Sequence, residues 1–352
     1  MSPDGGSLAL RLAKQIEASG PISIAEYMRA ANAEYYAKGD PFGVDGDFIT
    51  APEISQMFGE LAGLWLADLW LRKNCPPDCT LVELGPGRGT MMADALRSMA
   101  RFNFRPRVIF VETSELLQVA QRNAVPDASH VAHIDALPDS GSLLIVANEF
   151  FDALPIRQYV ATHAGWRERV VVCNRDGTFS AVPGTRAVDE LVPHTVRNAP
   201  SHSVYETSPE SGDIMFKLAG KISHQGGALL VIDYGYFFPG LGSTFQALKA
   251  HHSVDPFENP GEHDLTAHVN FFELANLARM RNLRVSGPVD QGAWLQALGI
   301  DARADTLSAA SPDREEEIRT MRDRLVEPTQ MGSLFKVLAI SSEDWPVPDG
   351  FH

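Results

Sequence analysis

The chain has 352 residues, ample for a real core in one large domain or two small ones, and its apolar and charged fractions are ordinary for a globular protein. Its balance is acidic, 30 Lys plus Arg against 45 Asp plus Glu, which argues against nucleic-acid binding and fits small-molecule chemistry or an encounter with a basic protein. Three cysteines make no disulfide framework, the polar start carries no secretory signal, and the longest apolar stretch, Leu61 to Leu71, is too short to span a bilayer, so a reduced, cytoplasmic setting without membrane insertion is expected.

Residues 7–18 read as a helix closed by Gly20-Pro21. Ser23 then suits the cap of a second helix, with Ile24, Tyr27, Met28, Ala31 and Tyr35 at helical spacing, stopped at Gly39-Asp40-Pro41. An aperiodic, acid-bearing loop over 42–53 follows. Pro52 fits the first turn of a third helix running to about Arg72, whose apolar face (Met57, Leu61, Leu64, Trp65, Leu69) is expected to pack on a sheet.

Residues 80–90, T-L-V-E-L-G-P-G-R-G-T, organise the rest. Leu81, Val82 and Leu84 form a buried strand, and Gly85, Gly87 and Gly89 follow at spacing two, with Pro86 among them. Met91, Met92, Ala95, Leu96 and Met99 then repeat at helical spacing. Strand, glycine turn and helix make a nucleotide-type cofactor site in an open α/β sheet, where residues without a Cβ let the backbone turn sharply and approach a ligand. The pattern is G-x-G-x-G rather than the dinucleotide G-x-G-x-x-G, and Glu83 stands two residues before the first glycine. That acid suits a ligand with a positive charge or an ammonium group, such as S-adenosylmethionine, and the motif resembles the first motif of class I methyltransferases. A tight turn with glycines kept for packing is the bland alternative.

Residues 107–112, R-V-I-F-V-E, are a second strand ending in an acid. Glu112 lies 23 residues past Gly89, where a carboxylate can accept both ribose hydroxyls, or else it is a solvated acid at a helix start. Ser114 is expected to cap a helix with Leu116, Leu117 and Ala120 as its apolar stripe. Asp135 could reach the adenine amine, although a solvated turn acid is the favoured reading. The run L-L-I-V-A-N at 143–148 is nearly all apolar, as a strand buried on both faces should be. It delivers Asn148, Glu149 and Asp152 to the carboxyl end of the sheet, where ligands bind in open α/β folds.

Residues 157–183 read as an inserted hairpin, Pro209 opens a helix to about His224, and 228–233 is another buried strand. The stretch 234–263, rich in Gly, Phe, His and Pro, reads as a lid loop, and Asp264 is expected to start a helix through about Met280. A strand near 283–287, helices to about 325 and a last strand S-L-F-K-V-L-A-I close the chain. The expected division is a helical region 1–75, a cofactor core 76–156, an inserted hairpin and helix 157–227, the rest of the core 228–345, and a tail 346–352.

With these residues in view, G-D-F-I-T-A-P-E-I-S-Q-M-F-G-E at 46–60, V-E-L-G-P-G-R-G-T at 82–90, A-N-E-F-F-D-A-L-P at 147–155, I-D-Y-G at 232–235, D-L-T-A-H-V-N-F at 264–271 and M-G-x-x-F-K-V-L at 331–338 resemble the MidA-like methyltransferases. The resemblance covers nearly the whole chain. It implies a class I, Rossmann-like α/β fold: a seven-stranded, mostly parallel sheet with helices on both faces, an N-terminal helical extension and an inserted hairpin and lid. It further implies S-adenosylmethionine as cofactor, S-adenosylhomocysteine as product, and symmetric dimethylation of an arginine in a protein partner, a quinone-module subunit of respiratory complex I for the mitochondrial member. Carry-over places the cofactor on Gly85, Gly87, Gly89 and Glu112, with the Asn148–Glu149 loop at the substrate edge.

A guanidinium is charged in water, and to act as a nucleophile it needs carboxylates that hold its fork and draw charge from the attacking nitrogen. Glu149 is the first candidate and Asp152 the second; alternatively Asp152 caps a helix beginning at Ala153 and Glu149 is a rim acid. His268, expected in the first turn of a helix, is a weaker candidate base than a structural histidine. Tyr234 is a candidate lining of the acceptor pocket or a core residue, and Thr50 and Pro52 are candidates to fold over the cofactor. The spacing of His251, His252, His263 and His268 matches no metal pattern. Rival readings are methylation of a small molecule or another side chain, a non-catalytic cofactor-binding assembly factor, and a nicotinamide oxidoreductase, which Glu83 and the glycine spacing disfavour.

Overall fold

A computed structural model describes residues 7–38, 50–249 and 252–351; most of the loop expected over 42–53 lies outside them. The chain begins with α1 (Leu8–Ser19), β1 (Ile22–Ser23) and α2 (Ile24–Lys38), and resumes with α3 (Ala51–Ile54) and α4 (Gln56–Arg72). Then come β2 (Cys79–Leu84), α5 (Thr90–Met99), β3 (Arg107–Val111), α6 (Glu115–Ala124), β4 (Ser129–Val131) and β5 (Ser142–Asn148). The middle holds β6 (Arg157–Thr162), β7 (Gly165–Cys173), β8 (Phe179–Ala187), β9 (Val204–Thr207), α7 (Pro209–Gln225) and β10 (Gly227–Tyr236). After these lie β11 (Gln246–Lys249), β12 (His252–Val254), β13 (Asp264–Thr266), β14 (Val269–Asn270) and α8 (Phe271–Arg279). The last are β15 (Arg284–Asp290), α9 (Gln291–Ala297), α10 (Ile300–Ala310), α11 (Glu315–Val326), α12 (Met331–Leu334) and β16 (Phe335–Ser341).

The main sheet runs β15-β16-β10-β5-β2-β3-β4, with the short β14 beside the end of β10. The neighbours from β10 through β4 pair in parallel, whereas β16 is antiparallel to both β10 and β15. This is the seven-stranded, mostly parallel sheet of the class I methyltransferase fold. The two-residue period of the strands builds the layers. Leu81, Leu144, Val146, Leu230 and Ile232 point into a core shared with α4 and α5. Val82, Leu84, Leu143, Ile145 and Val231 point into a second core shared with α7 and α8. On the first face α4 and α5 touch through small residues. A Cβ on Gly59 would lie 2.8 Å from Asp94 Cβ and from the Met91 carbonyl, so only glycine lets the two backbones come this close.

Several local expectations need correction. The helix expected from Pro52 to Arg72 is two helices, because Ser55 is fully extended (φ −158°) and its hydroxyl accepts the Met57 amide at 3.3 Å as a fresh cap. The expected hairpin is the middle of a five-stranded antiparallel sheet, in which β1 and β9 flank β7 and β6 and β8 pairs with β7. The lid loop carries β11 and β12, which form a three-stranded sheet with β13. No helix starts at Asp264, because Asp264–Thr266 pairs with β11; α8 begins at Phe271, where Asn270 accepts the Glu273 amide. On α6 Ser114 does cap the helix, but Leu116 is exposed and Leu117 with Gln121 faces inward. Ser23 caps α2 as expected, and Glu26 closes the box by accepting from both the Ser23 amide and its hydroxyl.

Candidate cofactor and acceptor site

β2 ends buried, and the next residues turn through left-handed backbone: φ is 59° at Gly85, 54° at Gly87 and 83° at Gly89. L residues with side chains rarely adopt this region, so the turn depends on glycine. Gly89 stands at the cap position of α5, and its amide donates back to the Pro86 carbonyl at 2.8 Å. Gln121 braces the turn from α6: its Nε2 donates to the Gly87 carbonyl at 2.8 Å and to Glu112 at 3.2 Å. Glu112 also accepts the Ser114 amide at 2.7 Å. Burial is the main influence on its carboxyl and raises its pKa.

Two cavities meet at Tyr36, Gly85, Gly87 and Glu149. The outer cleft, about 460 Å³, is walled by α2, by Glu112 and by the apolar groups Leu117, Phe150, Leu154 and Pro155. The inner pocket, about 90 Å³, brings together Thr50, Pro52, Glu53, Glu83, Pro86, Arg88, Asn148, Glu149, Asp152, Tyr234 and Asp264. Glu83 is buried, one of its oxygens has no hydrogen-bond partner, and desolvation pushes its pKa up to about 8. A buried carboxyl with an orphaned oxygen beside a glycine cradle fits the ammonium end of S-adenosylmethionine. The outer cleft has the size and apolar walls of a nucleoside site, with Glu112 at its rim.

Three of the other four carboxylates of the inner pocket have hydrogen-bond donors. Glu53 accepts from Thr90 at 2.6 Å. Asp264 accepts from Tyr36 at 2.9 Å. Glu149 accepts from the Ala51 amide and from Asn148, each at 3.3 Å. Asp152 lies against the Tyr234 hydroxyl, but its Oδ1, like one oxygen of Glu83, has no hydrogen-bond partner. Glu149 itself is left-handed (φ 48°), and burial followed by the nearby Asp152 raises its pKa to about 8. Burial also raises Asp152. No helix begins at Ala153; Asp152 sits in a turn, its amide donating to Asp233 and its carbonyl accepting from Ala267.

Two expected residues stand apart. Asp135 is exposed, pairs with Lys217 at 2.9 Å and lines neither cavity, in keeping with a solvated turn acid. His268 lies between β13 and β14 rather than on a helix; it stacks edge-on against Tyr234 at 5.5 Å and lines a separate small hollow. Tyr234 lines the inner pocket and also packs in the core. Sequence reasoning missed Tyr36, Gln121, Asp233 and Asp264 as site residues. Only Asp264 and Asp233, acids at the ends of recognisable segments, carried any local signal. Among the described residues, no cluster of His, Cys, Asp and Glu is arranged to hold a metal ion, and no helix is long and apolar enough to cross a membrane.

Comparison with known proteins agrees with this geometry. Residues 61–289 match the family described as "Putative S-adenosyl-L-methionine-dependent methyltransferase". The protein arginine methyltransferase NDUFAF7 homolog of Drosophila melanogaster mitochondria is 37% identical, the match covering 95% of this chain and 85% of that protein. The human mitochondrial protein arginine methyltransferase NDUFAF7 is 32% identical over 93% of this chain and 81% of its own. A crystal structure from Burkholderia thailandensis with bound S-adenosyl-homocysteine superposes with a TM-score of 0.86 at 25% identity, covering 98% of this chain and 94% of that one. The chain therefore belongs to this methyltransferase family and is an enzyme that uses S-adenosylmethionine.

Proposed function

We propose that this enzyme methylates an arginine of a partner protein in the cytoplasm, yielding symmetric dimethylarginine, and that the partner is a quinone-module subunit of respiratory complex I met during assembly. The observation that carries the reading is the inner pocket, where five carboxyl groups (Glu53, Glu83, Glu149, Asp152 and Asp264) converge beside the glycine turn. A cation is the natural guest of such a pocket, and a planar guanidinium matches carboxylates better than a point-charged ammonium does. The names of the relatives support the arginine assignment.

When bound, S-adenosylmethionine supplies an electrophilic methyl group. Glu83 holds the ammonium end, the backbone of Gly85, Gly87 and Gly89 with Pro86 forms the cradle, and Glu112 takes the ribose hydroxyls. Asn148 forms the rim between cofactor and acceptor. Glu149, with Asp152 beside it, receives the guanidinium fork, localises its charge away from the attacking nitrogen and accepts the proton released on transfer. Burial holds this carboxyl's pKa near 8, and it ionises when the guanidinium arrives, since an opposite charge favours the ionised form. Thr50 at the cap of α3, Pro52 within it and Tyr234 on β10 wall the reacting atoms from water.

The test has two parts. Calorimetric titration with S-adenosylhomocysteine, with NAD as control, reads the cofactor site. Incubation of labelled S-adenosylmethionine with complex I subunits from a strain lacking the enzyme, followed by amino-acid analysis, reads the acceptor. Label recovered as symmetric dimethylarginine supports the proposal. Label in lysine, in another residue or in a small-molecule fraction, with none in arginine, overturns it.

A further inference from the structure

We infer that Asp233 is a positioning residue that clamps the 149–152 turn, so that Glu149 and Asp152 both face the inner pocket. Asp233 lies on β10 next to Tyr234 and is fully buried. Both oxygens of its carboxyl group accept main-chain donors, three in all. One oxygen accepts the Phe151 amide at 3.0 Å and the Asp152 amide at 3.3 Å. The other accepts the Tyr234 amide at 3.0 Å. The first two donors come from the turn that leaves β5, and the third fixes the residue whose phenol lies against Asp152. One side chain therefore registers the carboxylate loop and the opposing tyrosine against each other.

The turn needs such a clamp. It contains Glu149 in left-handed backbone, a conformation that glycine, asparagine and aspartate tolerate better than glutamate. Its other anchors include the Glu149 amide to Ile232 at 2.9 Å, the Ala267 amide to the Asp152 carbonyl at 3.0 Å, and the longer bonds from Ala51 and Asn148 to the Glu149 side chain at 3.3 Å. Without Asp233, the amides of Phe151 and Asp152 would be buried without acceptors. The turn would then open to satisfy them, and Glu149 would relax toward negative φ. An asparagine cannot substitute, because its Nδ2 would present a donor to either the Phe151–Asp152 pair or Tyr234.

Hydrogen exchange of the protein loaded with S-adenosylhomocysteine tests this clamp in Asp233→Asn. The expected result is exchange about tenfold faster or more at the Phe151, Asp152 and Tyr234 amides, with β2 and β5 unchanged. Turnover should fall by about a hundredfold while the affinity for S-adenosylhomocysteine holds, because the reacting groups are misplaced and the cradle is not. Unchanged exchange at these amides overturns the inference, as does uniform acceleration across the sheet, which would make Asp233 a core residue only. Should Asp233→Asn fail to fold, Asp233→Glu keeps both acceptor oxygens but displaces them by one methylene. The same selective loosening is expected there, and wild-type exchange with wild-type turnover would refute the clamp. The consequence for turnover rests on the arginine reading; the exchange result does not. A wild type that methylates no arginine, yet whose variant shows the selective exchange, would defeat the function and leave the clamp standing.

Discussion

Replacing Glu83 by Gln in the ligand-free protein isolates the titration of one buried carboxyl. In the folded chain, burial raises its pKa from 4.5 to about 8. The unfolded chain ionises it at the lower value, so between the two values the folded state holds a proton that the unfolded state has released. Rising pH therefore favours unfolding, and stability fully present below about pH 4.5 is lost as pH climbs to about 8. The slope is about 1.4 kcal/mol per pH unit, which over that window caps the loss at about 5 kcal/mol. Glutamine cannot titrate, so the variant keeps this stability at every pH, apart from a constant offset for the buried amide. Glu149, also raised to about 8, adds its own slope to both proteins and cancels in the comparison. Urea unfolding of both at pH 5, 7 and 9 measures the effect. The variant should gain on the wild type by roughly 3–5 kcal/mol between the lowest and highest pH. Parallel stability curves would refute the argument and show that water or a partner reaches the Glu83 carboxyl.

Three further outcomes are expected. Gly87→Val should abolish binding of S-adenosylhomocysteine, since a branched side chain is strained at φ 54° and fills the cradle; full affinity would refute the cofactor assignment. Glu149→Gln should keep that affinity and slow methyl transfer by about 10²–10⁴-fold, and an unchanged rate would remove Glu149 from the chemistry. Gln121→Leu leaves the Gly87 carbonyl and Glu112 without their side-chain donor, so S-adenosylhomocysteine should bind about tenfold more weakly, which calorimetry can contradict directly.

What could be read in advance follows the range of the interactions. The β2–turn–α5 unit is legible because strand, glycines and helix are contiguous, and burial on both faces makes β5 and β10 nearly unbroken apolar runs. β13 and β14 hold three and two residues, too few for a period to register; β13 exists because it pairs with β11, and β14 because the last two residues of β10 run beyond its neighbours β5 and β16. The break at Ser55 was hidden because apolar residues continue at helical spacing on both sides of it. The five-stranded sheet escaped because β1 and β9 come from either side of the central hairpin, far off in the chain. The site divides in the same way. Glu83, Glu112 and Glu149 end strands and announce themselves, whereas Gln121 looks like any polar residue on an exposed helix until its bonds to Gly87 and Glu112 are seen. Tyr36 shows its place only through Asp264, 228 residues away.

Asn32 ties α2 into the site. Its Nδ2 donates to the Ala153 and Leu265 carbonyls, and its Oδ1 accepts the Leu265 amide. The bonds to Leu265 span 233 positions and pin the part of α2 that lines the outer cleft against β13. During synthesis, that contact cannot form until most of the chain has left the ribosome. A nascent or prematurely terminated chain can build β2, the glycine turn and β3 while the roof over them is still missing. The side of the outer cleft that α2 supplies is thus completed only once β13 has been made, late in the chain.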